Sequence, residues 1–217
     1  MKNLLYKELK LAAMPLSYVF IAGALLTLVP GYPILLGAFF TTLGIFYSFQ
    51  TMRENSDIGY SLLLPVAKSD VVKSKFAFCV FVELCSFLVM TALTLIRMTL
   101  LKDAAAYTAN ALMGANLVFL GFALLIFALF NLVFVSGFFR TAYYYGKPFI
   151  IYAIVTLIVI GAAETLHHIP GLESLNSFGF TNMQVQLPAF LAGAAAYVLL
   201  TLLAVRSSIR KFEMLDM

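Results

Sequence analysis

From Leu11 to Met52 the chain reads LAAMPLSYVFIAGALLTLVPGYPILLGAFFTTLGIFYSFQTM, without a single charged residue. The stretch is long enough for two membrane spans of about 20 residues each. Pro30-Gly31-Tyr32-Pro33 interrupts it near the middle. Proline brings no amide hydrogen to a helix and glycine suits a turn, so neither helix continues through this point. The stretch therefore predicts a helical hairpin, roughly residues 11–29 and 34–51.

The whole chain extends that pattern. Of 217 residues, 63% are hydrophobic and 11% are charged, with a mean hydropathy of +0.99. Soluble domains average about 45–50% apolar and about 25% charged. A chain of this size still leaves much of its surface outside any core, so lipid must be part of its solvent. Further spans are predicted at about 76–100, 113–138, 148–166 and 187–205. The first apolar run is longer than the core of a cleavable leader and lacks a small-residue cleavage site, so it is expected to stay as a span. The prediction is an all-α integral membrane protein of six transmembrane helices. Residues 1–10 form an N-terminal interfacial helix, 11–206 the transmembrane domain and 207–217 a tail.

Basic residues set the expected orientation. Lys2, Lys7, Lys10, Arg53, Lys68, Lys73, Lys75, Arg140, Lys147, Arg206, Arg210 and Lys211 fall on one side of the predicted spans, and only Arg97 and Lys102 on the other. Lysine and arginine collect in cytoplasmic loops, which puts both termini in the cytoplasm. Tyr6, Tyr60, Tyr143, Tyr144 and Tyr145 sit beside the basic side, where aromatic rings suit the headgroup layer. The net charge of +4 is spent on topology, so nucleic acid is not an expected partner and membrane lipid is. Cys79 and Cys85 lie six apart in one apolar run, in neither disulfide nor metal spacing.

The cytoplasmic stretch 53–75 carries the most information. Asn55, Ser56 or Asp57 can cap a helix that Pro65 ends, and Ser69 and Asp70 can open the helix that becomes the third span. Between them, the segment Ile58–Leu64 is apolar except at Gly59 and Ser61. In a water-facing loop it would expose Ile58, Tyr60, Leu62, Leu63 and Leu64, so it must be covered by the bundle, by headgroups or by a partner. A helix lying on the membrane surface is the plain alternative. In the N-terminal segment, Leu5, Tyr6 and Leu9 share one helical side and Lys7 and Lys10 another, with Lys2 and Glu8 blurring the separation. It reads equally as an interfacial helix or as a basic flank.

Arg53-Glu54, Asp57, Gly59-Tyr60, Leu64-Pro65-Val66, Lys68 and Val72-Lys73-Ser74-Lys75-Phe76 resemble the signature loop of small ABC-2-type permeases, the six-span membrane subunits of bacterial ABC exporters. The start Tyr6-Lys7-Glu8-Leu9 is also similar to theirs, and the closest group resembles the permeases of phenol-soluble-modulin exporters. Ala67-Lys68 stands where the family usually has Ser-Arg, which keeps the positive charge. The resemblance implies a coupling helix, Asp57 to Pro65 with Ile58, Gly59, Tyr60, Leu62, Leu63 and Leu64, seated in a groove of a separate ATPase subunit. It further implies two permease copies, as a homodimer or related heterodimer, two ATPase subunits carrying ATP and Mg, and a bacterial cytoplasmic membrane. The implied cargo is an amphipathic or antimicrobial peptide. No phosphate-binding loop occurs in the chain itself: Gly146-Lys147 has Thr141 where the first glycine belongs and Pro148 where Ser or Thr belongs. No catalytic residue, cofactor or metal is therefore expected on this chain.

Within the spans, Glu83 stands out. A charged acid at mid-span costs about 2.5–3.5 kcal/mol on insertion scales, and such residues normally face the bundle interior. Asn131 on the next descending span should lie at similar depth, with Gln50 nearer the interface. The pair reads as a structural hydrogen-bonded cluster or as a substrate or proton site. The latter gives the rival class, a proton-coupled secondary transporter using Glu83, although no inverted repeat is evident. Glu164, His167 and His168 would suit an intramembrane metalloenzyme by proximity, but their order matches no zinc-hydrolase pattern. They read as a solvated outer helix end, as do Arg97, Lys102 and Asp103. Ala189, Ala192, Gly193 and Ala196, and Gly37 with Thr41, make small-residue pairs that suit helix contacts within or between subunits.

Overall fold

The computed structural model describes residues 2–141 and 144–214, with only the backbone for Lys2. Every regular element among them is helical. We label these α1 (Asn3–Ala12), α2 (Pro15–Leu28), α3 (Leu36–Glu54), α4 (Asp57–Leu63), α5 (Lys68–Thr99), α6 (Ala105–Thr108), α7 (Leu117–Arg140), α8 (Gly146–Leu166) and α9 (Met183–Glu213). Four helices, α5, α7, α8 and α9, are long and apolar enough to cross a membrane, and α1 with α2 would make a fifth span if counted as one bent element.

The predicted first span, 11–29, begins later than expected. Leu11 and Ala12 finish α1, and α2 leaves it at 91°. Pro15 explains the break: it sits in the first turn of α2, where its missing amide is no loss and its fixed φ favours starting a helix. The corner is then pinned to α3. The Met14 amide donates to Ser48 Oγ at 2.8 Å, and Ser17 Oγ donates to the Gly44 carbonyl at 2.6 Å. From Phe20 to Leu28, α2 is wound as a 3-10 helix. At about 2.0 Å per residue there and 1.5 Å before, α2 reaches about 25 Å, more than its residue count suggests. Gly31, at φ 74°, makes the turn into α3 in a conformation that a side chain would resist.

Although 19 residues long, α3 is absent from the strongly apolar set, and its packing shows why. Its polar and small residues point inward. Thr41 Oγ1 meets Ser86 Oγ at 2.7 Å, and Thr42 Oγ1 meets the Tyr152 hydroxyl at 2.7 Å. A Cβ on Gly37 would come within 2.6 Å of the Gly23 carbonyl oxygen. The polar groups of α3 are satisfied by neighbouring helices rather than by water.

Packing divides most of the bundle into two halves, α2 with α3, and α7 with α8 and α9, and α5 bridges them. In the second half, α7 is innermost: 72% of its most apolar window is buried, against 11% for α9. Asn116 caps it, accepting from the Phe119 amide at 3.0 Å, and a π-helical stretch runs from Phe130 to Val135. At Gly193 the small-residue contact lies within the chain, since a Cβ there would approach the Gly121 oxygen to 2.3 Å, while Ala192 is exposed. Aromatic rings lock the halves together, with Phe46 stacked on Phe149 at 3.9 Å and Phe49 edge-on to Phe138 at 4.9 Å. The segment from 207, expected as a tail, continues α9 to Glu213, with Phe212 against Phe139 at 5.5 Å.

Candidate functional site

The segment between α3 and α5 forms a short helix one residue offset from the expected one. It runs Asp57–Leu63, with Leu64 extended at its end. Ser56 joins it to α3 in the left-handed region at φ 52° and gives no side-chain cap. Such a conformation costs a non-glycine residue about 1–2 kcal/mol, so the neighbours must hold it. The expected caps are therefore corrected at both helices, because α5 opens at Ala67, also without a side-chain cap.

The Asp57 carboxylate has another task. Lys75 and Lys7 converge on it, Lys7 at 2.6 Å. Lys75 also reaches Glu8 at 2.5 Å and the Met52 sulfur at 3.3 Å, while Lys7 donates to Ser61 Oγ at 2.7 Å. Glu8 and Lys75 are fully buried. Two cations and two anions thus balance in a closed quartet drawn from α1, α4 and α5. Burial opposes ionisation of Asp57, but Lys75 and Lys7 outweigh it and hold its carboxyl below the usual carboxylate range.

Of the expected face of the N-terminal helix, Leu9 packs partly against the core and Tyr6 faces outward, while Leu4 and Glu8 are the helix's buried residues. Glu8, which only blurs the amphipathic pattern in the sequence, is the residue that ties α1 down.

The quartet and Ile58 anchor one side of α4 and leave the other bare. Ile58 and Ser61 are buried and Leu62 packs partly against the core. Tyr60 is 70% exposed, Leu63 83% and Leu64 50%. Gly59 and Pro65 are exposed too, and a Cβ on Gly59 would meet nothing within 4 Å. The result is a firmly mounted helix presenting an apolar edge. Tyr6 and Tyr144 are exposed near the same end, and Arg53 lies over the rings of Tyr144 and Tyr145 at 5.8 and 5.2 Å. Tyr143 lies outside the described residues.

Deep in the bundle, Glu83 Oε2 accepts from Asn131 Nδ2 at 3.0 Å and from the Tyr197 hydroxyl at 2.7 Å. Asn131 also donates to Thr201 Oγ1 at 3.2 Å. Tyr197 and Thr201 escape a search for charge and leave no signal in the sequence. Gln50 is elsewhere, donating to Glu54 at 3.2 Å.

At the opposite end of the bundle, Arg97 is not the solvated helix end expected. It is 6% exposed, donates to the Thr27 carbonyl at 2.8 Å and covers the Tyr107 ring at 4.2 Å. Glu164 accepts from the Met113 amide at 2.8 Å, and His167 Nε2 contacts the Ala111 carbonyl at 3.1 Å. Both thus fasten a loop. Among the described residues no group of three or more His, Cys, Asp or Glu side chains could hold a metal ion.

Over residues 3–213 the chain matches the family described as ABC-2 family transporter protein. Neither a curated protein nor a solved structure matches it.

Proposed function

The chain belongs to the ABC-2 transporter family, and from that membership we propose that it is the permease subunit of an ATP-driven exporter, with α4 as the helix that engages the ATPase. The observation that carries this reading is the mounting of α4: an exposed Tyr60–Leu63–Leu64 edge on a helix whose other side is ion-paired to α1 and α5. An apolar edge held rigidly is suited to transmit a push, whereas a loosely tethered one would only adhere.

In this reading α2, α3, α5, α7, α8 and α9 are six spans, with both termini in the cytoplasm of a bacterial cell. Two permease copies line the path, and two ATPase subunits supply ATP, Mg and hydrolysis. The cargo is an amphipathic peptide, following the resemblance to phenol-soluble-modulin exporters.

The test is purification of the full-length chain from its native membrane, with and without the paired substitutions Tyr60→Ala and Leu63→Ala. Fully burying each side chain is worth about 1.5–3 kcal/mol, so losing both should weaken ATPase binding about a hundredfold or more. An ATP-binding-cassette subunit should accompany the wild type and be lost from the variant, or remain with hydrolysis uncoupled from protection against an amphipathic peptide. A variant that retains its ATPase and its protection would refute the role given to α4.

A further inference from the structure

Glu83 and Asn131 are both fully buried, and each keeps one oxygen without a donor among the described residues: Glu83 Oε1 and Asn131 Oδ1. The two orphans belong to one already bonded pair. Asn131 Nδ2 donates to Glu83 Oε2 at 3.0 Å, which is half of the two-bond ring that a carboxylic acid forms with an amide. The missing half is an O–H on Oε1 directed at Oδ1. An ionised Glu83 supplies acceptors only, so it leaves both oxygens unsatisfied, while one proton serves both at once.

The surroundings offer no cheaper solution. Glu83 receives hydrogen bonds from two neutral donors, the Asn131 amide and the Tyr197 hydroxyl. The titratable groups that interact with it are Cys79, one turn away on α5, Tyr197 on α9 and Tyr152 on α8, a thiol and two phenols whose ordinary form at neutral pH carries no charge. On the cytoplasmic side along α5, Lys75 is already bound to Glu8 and Asp57. Among the described residues no Lys or Arg bonds to Glu83. An unpaired carboxylate buried in such a place gives up its charge before it bears the desolvation.

We propose that the Glu83–Asn131–Tyr197 cluster is a proton-binding site, in which Glu83 is a neutral carboxylic acid whose proton is shared with the Asn131 carbonyl. The proton comes from water as the spans assemble and stays resident. Its three ligating side chains come from the bridging α5 and from α7 and α9, so the proton sits where α5 meets the second half. Asn131 lies in the π-helical stretch of α7, an irregularity that recurs at functional positions. The site is independent of the ATPase reading of α4, because it requires only the closed bundle.

Infrared spectroscopy of the full chain in lipid vesicles at neutral pH tests this without any transport assay. The wild type should show the carbonyl stretch of a protonated acid, equivalent to one group per chain. Glu83→Gln, which can still accept from Asn131 and Tyr197 and so keeps the fold, should lose the band. Asn131→Leu should shift it upward as the acid loses its acceptor. A wild-type spectrum with no acid band, or one that Glu83→Gln leaves unchanged, would show Glu83 to be ionised and overturn the proposal. A band that Asn131→Leu does not move would overturn the sharing of the proton with Asn131.

Discussion

Replacing Lys75 with methionine tests the quartet most directly. The side chain fits the same space but removes the charge that joins α5 to both Glu8 and Asp57. Breaking a buried ion pair from one side costs about 3–5 kcal/mol, chiefly because the remaining charge is stranded. Here Glu8 keeps only Lys7, at 3.4 Å, while its side chain is 1% exposed. Asp57 fares better, retaining Lys7 at 2.6 Å and 14% side-chain exposure. Relief at Asp57 places the expected loss at the lower end, about 3 kcal/mol. Adding Glu8→Gln removes the stranded anion and leaves Lys7 and Asp57 balanced. The double variant should therefore regain about 1–2 kcal/mol relative to Lys75→Met alone, a coupling typical of directly interacting groups. Unfolding of the reconstituted chain by detergent titration, followed by circular dichroism, measures each corner of the cycle. Strictly additive losses would mean that the quartet is not a unit and would refute the account of how α4 is mounted.

Because Asp57 ionises more readily in the folded chain than in the unfolded one, its contribution is present above the unfolded carboxylate range and fades as pH falls through its lowered folded value. Protection of the α4 amides, that is exchange relative to the intrinsic rate at each pH, should thus be flat from neutral pH to about 5 and fall below about 4, and Asp57→Asn should abolish that dependence. Gly193→Ala should destabilise by several kcal/mol, of the order of 3, because its Cβ would meet Gly121 backbone at 2.3–2.7 Å. Gly161→Ala, with nothing within 4 Å, should instead gain up to about 1 kcal/mol in the same detergent titration.

What could be read in advance follows from what sequence patterns measure. Hydropathy registers the solvent of a segment, so the helical membrane class and the Pro30–Pro33 turn were plain in the sequence. The loop residues around Gly59-Tyr60 and Leu64-Pro65 pointed to the ABC-2 family. Depth counted along two neighbouring spans suggested Asn131 as a neighbour for Glu83. Long-range pairing has no such periodic signal. Glu8 and Lys75 stand 67 positions apart, and a count of flanking charges treats Lys75 as one more cytoplasmic marker. Arg97 was misjudged in the same way, since its acceptor is the Thr27 carbonyl at the end of α2, left free where Pro30 offers no amide hydrogen three residues on. The start of α2 was misplaced because a smooth apolar run hides a right-angled corner, although Pro15 marks it.

That corner has a mechanical consequence. Ser17 and Ser48 clamp it to α3, their hydroxyls 2.6 Å apart, so α1 and α2 turn together about the joint. They form a bell crank, with arms of about 15 Å and 25 Å. Lys7 and Glu8 sit on the shorter arm and are gripped by Asp57 and Lys75. Lys7 and Glu8 lie about 8 Å from the corner, so a displacement delivered to α1 through those charges would reappear at the far tip of α2 turned through a right angle and enlarged about threefold.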